Sequence, residues 1–150
     1  MNILIVEDDT NKLIALEDFL KEYFENKEIC LNVEIKQSYQ SGLEAILNNK
    51  YDLLLLDMSL PNFDPDMTGD SSPLSRGGEL ILYEMDMEES ELSTIVITQH
   101  DDFDGESLET ISDDYKNKFS TFYIDHVFYN QNESNWEVEL EILLDGVIND

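Results

Sequence analysis

Two apolar runs in this chain end abruptly in carboxylates. Ile3-Leu4-Ile5-Val6 leads into Glu7-Asp8-Asp9, and Leu53-Leu54-Leu55-Leu56 leads into Asp57. A short continuous apolar run bounded by polar residues reads as a strand covered on both faces, the habit of parallel α/β sheets. In such sheets the functional crevice lies beyond the carboxyl ends of the strands, so Glu7, Asp8 and Asp57 are expected on one edge. Two carboxylates about 4 Å apart repel by roughly 4 kcal/mol at an effective dielectric near 20. A cluster of three therefore raises its own pKa values or holds a cation. A hard divalent ion suits it best, and Mg²⁺ commonly takes one or two carboxylates with phosphate oxygens and water.

The elements that must position these acids can be read in order. Asp9, Thr10 and Asn11 are capping residues before Leu13-Ile14-Leu16-Phe19-Leu20-Tyr23-Phe24, whose spacing is helical. Leu31–Ile35 alternates and predicts an edge strand, Ser41–Leu47 a short helix, and Leu53–Leu56 the third strand. A turn-rich loop at about 61–78 then contains all 3 prolines of the chain. Glu79–Met87 predicts a helix, Thr94–Thr98 a fourth strand, Gly105–Lys118 a fourth helix, and Phe122–Phe128 a fifth strand. A last helix starts around Asn132–Ser134 and carries Trp136, Val138, Leu140, Ile142, Leu143, Leu144 and Val147. Strands alternating with helices imply parallel pairing with right-handed crossovers. The expected organisation is one unit spanning 1–150, with a long loop inserted at about 61–78.

Composition narrows the function further. Of 150 residues, 35 are acidic and 8 are Lys or Arg, a formal charge of −27, so nucleic acid and anionic lipid should be repelled. Residues 1–76 carry 15 acids and 6 bases, and residues 77–150 carry 20 acids and 2 bases. The second half is thus a strongly negative surface, suited either to solubility or to a basic protein partner. With 1 cysteine, Cys30, no internal disulfide is possible; flanked by Ile29 and Leu31, it reads as a buried small hydrophobe. The amino terminus has no secretory pattern and no apolar stretch approaches the roughly 20 residues of a membrane span, so a cytoplasmic location is expected.

With Glu7 and Asp8 after strand one, Asp57 after strand three and Thr98 after strand four, the chain resembles the receiver domain of two-component response regulators. The segments that carry the resemblance are Ile3–Asp9, Tyr51–Pro61 and Ile95–Thr98, which occur in the right order and span nearly the whole length. The resemblance implies a flavodoxin-like, doubly wound, five-stranded parallel sheet of order 2-1-3-4-5 with five helices, and a signalling domain rather than an enzyme. It further implies that Asp57 is the phosphoacceptor and that Mg²⁺ is held by Glu7, Asp8, Asp57 and the Ser59 backbone carbonyl. Thr98 would be the switch hydroxyl, and the phosphodonor a histidine kinase or phosphotransfer protein. Output would pass through protein contacts, with helix four, strand five and helix five, including Glu137, Glu141 and Asp145, as the acidic face toward a basic partner. These roles suit the residue types. A carboxylate can form an aspartyl-phosphate, and in-line phosphoryl transfer needs chiefly positioning and charge neutralisation.

The match to receivers breaks in three places. Receivers carry a lysine after strand five that binds the phosphoryl group, and here no Lys or Arg follows Lys118; Tyr129, or Asn130 one residue on, takes that position. His126 falls where the family keeps a switching aromatic. Gln99 replaces the small residue favoured after the switch hydroxyl and is expected to crowd the phosphate pocket. Arg76, in the long loop, is the candidate substitute for the missing cation. Two alternatives stay open: a receiver-like interaction module that is not phosphorylated, and an acidic, DNA-mimicking inhibitor of a basic protein. Haloacid-dehalogenase-type phosphatases also place an Asp after an apolar strand, but need a second Asp where this chain has Ser59. Asp64-Pro65-Asp66-Met67-Thr68-Gly69 begins like an EF-hand loop and fails at Ser75, where a bidentate Glu is required. His100 and His126 lack a metal-binding spacing and read as packing or surface residues.

Overall fold

The computed structural model describes residues 1–64, 73, 74 and 76–149. Five strands form one parallel sheet: β1 (Asn2–Val6), β2 (Asn32–Lys36), β3 (Leu53–Leu56), β4 (Thr94–Thr98) and β5 (Tyr123–Phe128), in the order β2-β1-β3-β4-β5. The helices between and after them are α1 (Thr10–Asn26), α2 (Tyr39–Asn48), α3 (Gly77–Met87), α4 (Leu108–Lys118) and α5 (Asn135–Ile148). This is the expected doubly wound sheet. Among the described residues, no helix is long and apolar enough to cross a membrane.

The four leucines of β3 illustrate how burial overrides propensity. Leucine favours helices, yet all four are buried here, because a run of this length fits a strand covered on both faces. Alternation sorts them: Leu54 and Leu56 join Leu4, Val6 and Val96 beneath α2, α3 and α4. Leu53 and Leu55 join Ile3, Ile5, Ile95 and Ile97 beneath α1 and α5. Register then aligns the strand ends. Val6 lies opposite Leu56, and Leu56 opposite Val96, so the residues that follow β1 and β3 emerge side by side. The Asp57 N–H donates to the Val6 carbonyl (3.0 Å), and the Glu7 N–H donates to the Lys36 carbonyl (3.0 Å).

Three expectations need correction. Helix four starts at Leu108, capped by the Ser107 hydroxyl, which accepts from the Thr110 N–H. The stretch before it is a small antiparallel hairpin, Asp102–Phe103 with Glu106–Ser107. Its turn residues, Asp104 and Gly105, have φ of 53° and 90°. An Asp-Gly pair is the favoured sequence for such a left-handed two-residue turn, a signal present in the sequence. Cys30 is exposed rather than buried, because it lies in the α1–β2 connection, where its carbonyl accepts from the amino-terminal ammonium (2.8 Å). Third, α3 begins at Gly77. In the long loop, Leu60–Pro61 pairs antiparallel with Pro73–Leu74; most of the EF-hand-like segment lies outside the described residues.

Gly78 has a positional role. A Cβ there would sit 2.3 Å from the Asp57 carbonyl oxygen and 2.9 Å from the Met58 Cα, while its N–H donates to the Met58 carbonyl (2.9 Å). The absent side chain is what lets α3 start against the turn that carries Asp57. Gly146, inside α5, faces open space. Gly78→Ala should therefore destabilise the fold by about 1–3 kcal/mol, the usual range for overpacking. Gly146→Ala should stabilise it by roughly 0.5–1 kcal/mol. Thermal melts of the two variants check the opposite signs.

Candidate functional site

Glu7 and Asp8 follow β1, Asp57 follows β3, and Thr98 ends β4, so three neighbouring strands deliver the four side chains to one edge. Glu7, Asp8 and Asp57 each offer a carboxylate oxygen, and these oxygens all lie within 4.8 Å of one another. Glu7 and Asp57 are buried, whereas Asp8 is exposed at the mouth. Glu7 Oε1 accepts from the Asp8 N–H (3.1 Å) and the Asp9 N–H (3.0 Å). Asp57 Oδ1 accepts from the Met58 N–H (2.9 Å). Asp57 Oδ2 is buried without a hydrogen-bond partner. Thr98 is fully buried, and its hydroxyl oxygen accepts from the His100 N–H (3.2 Å). That contact leaves the hydroxyl proton available to a further acceptor. Ser59 lies two residues past Asp57 in a half-buried bend.

Burial dominates the electrostatics. It pushes Glu7 from an ordinary 4.5 up to about 7, opposed by Lys12 and assisted by the charge of Asp57. Asp57 is raised chiefly by burial, against the pull of Lys12 and the Met58 N–H. Asp8, exposed at the mouth, is raised by partial desolvation and by the neighbouring Glu7. Carboxylates that resist ionisation, one of them with an orphaned buried oxygen, form an acceptor for positive charge. The three acids are a donor set that could hold a divalent metal ion.

One residue that sequence reasoning missed is already in this cluster. Lys12, in the first turn of α1, is 1% exposed. Its ammonium is ion-paired with Glu7 and lies 3.4 Å from Asp57 Oδ1. It also donates to the Ile97 carbonyl (2.7 Å) and to Gln99 Oε1 (3.1 Å), and it sits 5.7 Å from the centre of the Tyr129 ring. The signal was present in the spacing, because Lys12 continues the i, i+4 row of Leu16, Leu20 and Phe24, all buried. A lysine on the buried stripe of a helix must find partners inside the protein.

Other expectations shift accordingly. Arg76, the candidate substitute cation, pairs instead with Glu79 (3.0 Å) and Glu106 (3.8 Å), bracing the start of α3 against the hairpin. Gln99 is a partner of Lys12. Tyr129 directly follows β5, its N–H donating to the Thr98 carbonyl (2.8 Å) and its ring packing on Trp136; Asn130 is one residue further out. His126 sits on β5 beside Asp125, with Nδ1 3.1 Å from Oδ1. His100 packs edge-on against Phe103. The acids chosen on helix five also lie elsewhere than expected. Glu137 and Glu141 border a groove shared with Phe19, Glu22 and Tyr23 of α1. Asp145 accepts from the Tyr23 hydroxyl (2.5 Å) and pairs with Lys27 (3.4 Å). All three thus face α1. The exposed acids on α4 are Glu109, Asp113 and Asp114.

No family model matches the chain. It is 29% identical over 117 residues to the Detocs response regulatory protein DtcB of Enterobacter cloacae, covering 75% of each protein. It is 43% identical over 63 residues to the response regulator ArlR of Staphylococcus haemolyticus, which is 42% of this chain and 26% of that protein. Among solved structures, it superimposes with a TM-score of 0.58 on the receiver domain of the sensor histidine kinase PA1611 of Pseudomonas aeruginosa, at 17% identity and covering 99% and 98% of the two chains. That structure holds a magnesium ion in its active-site cleft.

The raised Glu7 has a pH signature. Folding favours its protonated form, so its contribution to stability is complete below about 4.5 and is lost as pH rises through about 7. The metal-free protein should melt at a higher temperature at pH 5 than at pH 8. Glu7→Gln should flatten that slope between pH 5 and 7, which thermal melts across the range would read.

Proposed function

From the premise that this chain has the fold of response-regulator receiver domains, we propose that it accepts a phosphoryl group on Asp57 and signals through protein contacts. The observation that carries this is Asp57 itself: a buried carboxylate at the end of β3 with one oxygen bonded to the Met58 N–H and the other unpartnered. Asp57 Oδ2 attacks the phosphorus of a phosphoramidate, such as a phosphohistidine on a histidine kinase or phosphotransfer protein. The O–P bond forms as the P–N bond breaks, and the imidazole nitrogen leaves with the bonding pair and picks up a proton. Water later cleaves the acyl phosphate and restores the carboxylate.

Glu7, Asp8, Asp57 and the Ser59 carbonyl would hold Mg²⁺, which supplies positive charge to the phosphoryl oxygens. Glu7 is fixed by the Asp8 and Asp9 N–H groups, so it meets an incoming charge without rearranging. The Met58 N–H holds Asp57 Oδ1 and leaves Oδ2 without a hydrogen-bond partner. Thr98, with its oxygen occupied by the His100 N–H, offers its proton to a new phosphoryl oxygen. That contact would pull on the loop after β4, toward α4, whose first turns expose Glu109 and Asp113 to a basic partner, while Asp114 pairs with Lys118 (2.9 Å).

Incubation with Mg²⁺ and phosphoramidate, followed by intact mass measurement, should add one phosphoryl group to the native chain and none to Asp57→Asn. A native chain that gains no mass would overturn the reading. Mg²⁺ alone should raise the melting temperature, because a ligand bound only to the folded state adds about 2.7 kcal/mol at a hundred times its Kd. Asp8→Ala should abolish most of that gain.

A further inference from the structure

We propose that Lys12 is the phosphoryl-binding cation of this site, delivered through the first turn of α1 in place of the strand-five lysine that receivers use. The proposal rests on the phosphoacceptor reading above. The loop that should supply the lysine, Tyr129-Asn130-Gln131-Asn132-Glu133-Ser134, contains no cation. Lys12 reaches the same carboxylates from α1, which shares a face of the sheet with α5, and ends over the ring of Tyr129, the residue at the vacated position. Three features show a built site rather than a stray contact. The ammonium is 1% exposed, and it is held by the Ile97 carbonyl at 2.7 Å and Gln99 Oε1 at 3.1 Å. Third, it lies 3.4 Å from the oxygen of Asp57 that also takes the Met58 N–H.

Those contacts also distinguish a phosphoryl ligand from a counter-ion. A lysine that only neutralised Glu7 would need no anchor on β4. Lys12 is instead tethered to the residues on either side of Thr98, the hydroxyl that would meet the phosphoryl group. Its charge preserves the balance of the site: three carboxylates and one ammonium leave two negative charges, which one divalent ion neutralises. Gln99, the residue expected to obstruct the phosphate pocket, becomes the support of the relocated cation. When new phosphoryl oxygens draw on Lys12, the groups that lose a partner are Ile97 and Gln99. The conformational response should therefore run through the end of β4 and the start of α1, leaving Asn130–Asn132 quiet.

The test uses the full chain with Mg²⁺, comparing native, Lys12→Met, Lys12→Met/Tyr129→Lys and Gln99→Met proteins. Labelling by phosphoramidate and binding of beryllium fluoride, a phosphoryl mimic, are both measured. Lys12→Met should weaken both by about ten- to a hundred-fold, the usual cost of one charge-assisted hydrogen bond. Tyr129→Lys in that background should recover part of the loss, which restored packing alone would not do. In NMR spectra of the native protein, beryllium fluoride should move the Lys12 side-chain and Gln99 signals more than those of Asn130–Asn132. Should Lys12→Met fail to fold, this spectrum and Gln99→Met, which should weaken fluoride binding with the Glu7 pair intact, decide instead. A folded Lys12→Met protein with native labelling and native fluoride affinity overturns the assignment. So do unmoved Lys12 signals. A native chain that neither labels nor binds the fluoride overturns the phosphoacceptor reading, and this assignment with it.

Discussion

The sheet edge is organised around the burial of two carboxylates with one ammonium between them. Glu7 and Asp57 are removed from water by the same parallel register that aligns Val6 with Leu56, and like charges at that spacing cannot both ionise cheaply in a low dielectric. Lys12 relieves part of this repulsion and introduces its own desolvation cost, which Ile97, Gln99 and the ring of Tyr129 offset. What remains uncompensated, the second oxygen of Asp57 and the raised acids around it, is a capacity for further positive charge and for a phosphoryl group. The site is poised because its charge balance is incomplete.

The rest of the fold holds that edge still. Alternating residues of β1, β3 and β4 lock the strands between the two helical layers, so the strand ends have little freedom to separate. Gly78 allows α3 to abut the Asp57 turn directly, and Arg76 ties the start of α3 to Glu79 and Glu106. Tyr115 adds its hydroxyl to the same Glu79 at 3.0 Å. The acidic centre is thus framed on one side by α1 with its lysine and on the other by a braced α3.

Much of this was legible from residue order because it depends on patterns of fixed period. Apolar runs at Ile3–Val6 and Leu53–Leu56, and the threonine-flanked run Thr94–Thr98, locate three strands to within a residue, and the carboxylates after the first two follow from the geometry of parallel sheets. The errors share a different cause. Gly105 reads as the start of a helix because its local turn signal competes with a longer polar stretch, and its positive φ excludes a helix there. Asp145 was placed on the wrong face because helical period gives the spacing of a stripe but not its azimuth against neighbours. Lys12 was missed because charge is expected at the surface. Its phase with Leu16 and Leu20 says otherwise, and only the folded arrangement shows which carboxylates and carbonyls make that burial tolerable.

The relocated cation also bears on the charge of the exterior. At a net −27, the protein repels anionic donors, and that repulsion acts beyond contact until salt screens it over about 8–10 Å. A small phosphodonor must cross this field unaided. A protein donor with a basic face is drawn in by it, so the same surface that slows non-specific phosphorylation favours a complementary partner. For such a device to work, the positive charge that receives the phosphoryl group must be shielded from the surrounding acids. Lys12, buried and fixed on β4, satisfies that condition; a flexible lysine on an exposed loop would tend to pair with the nearest of many surface carboxylates instead.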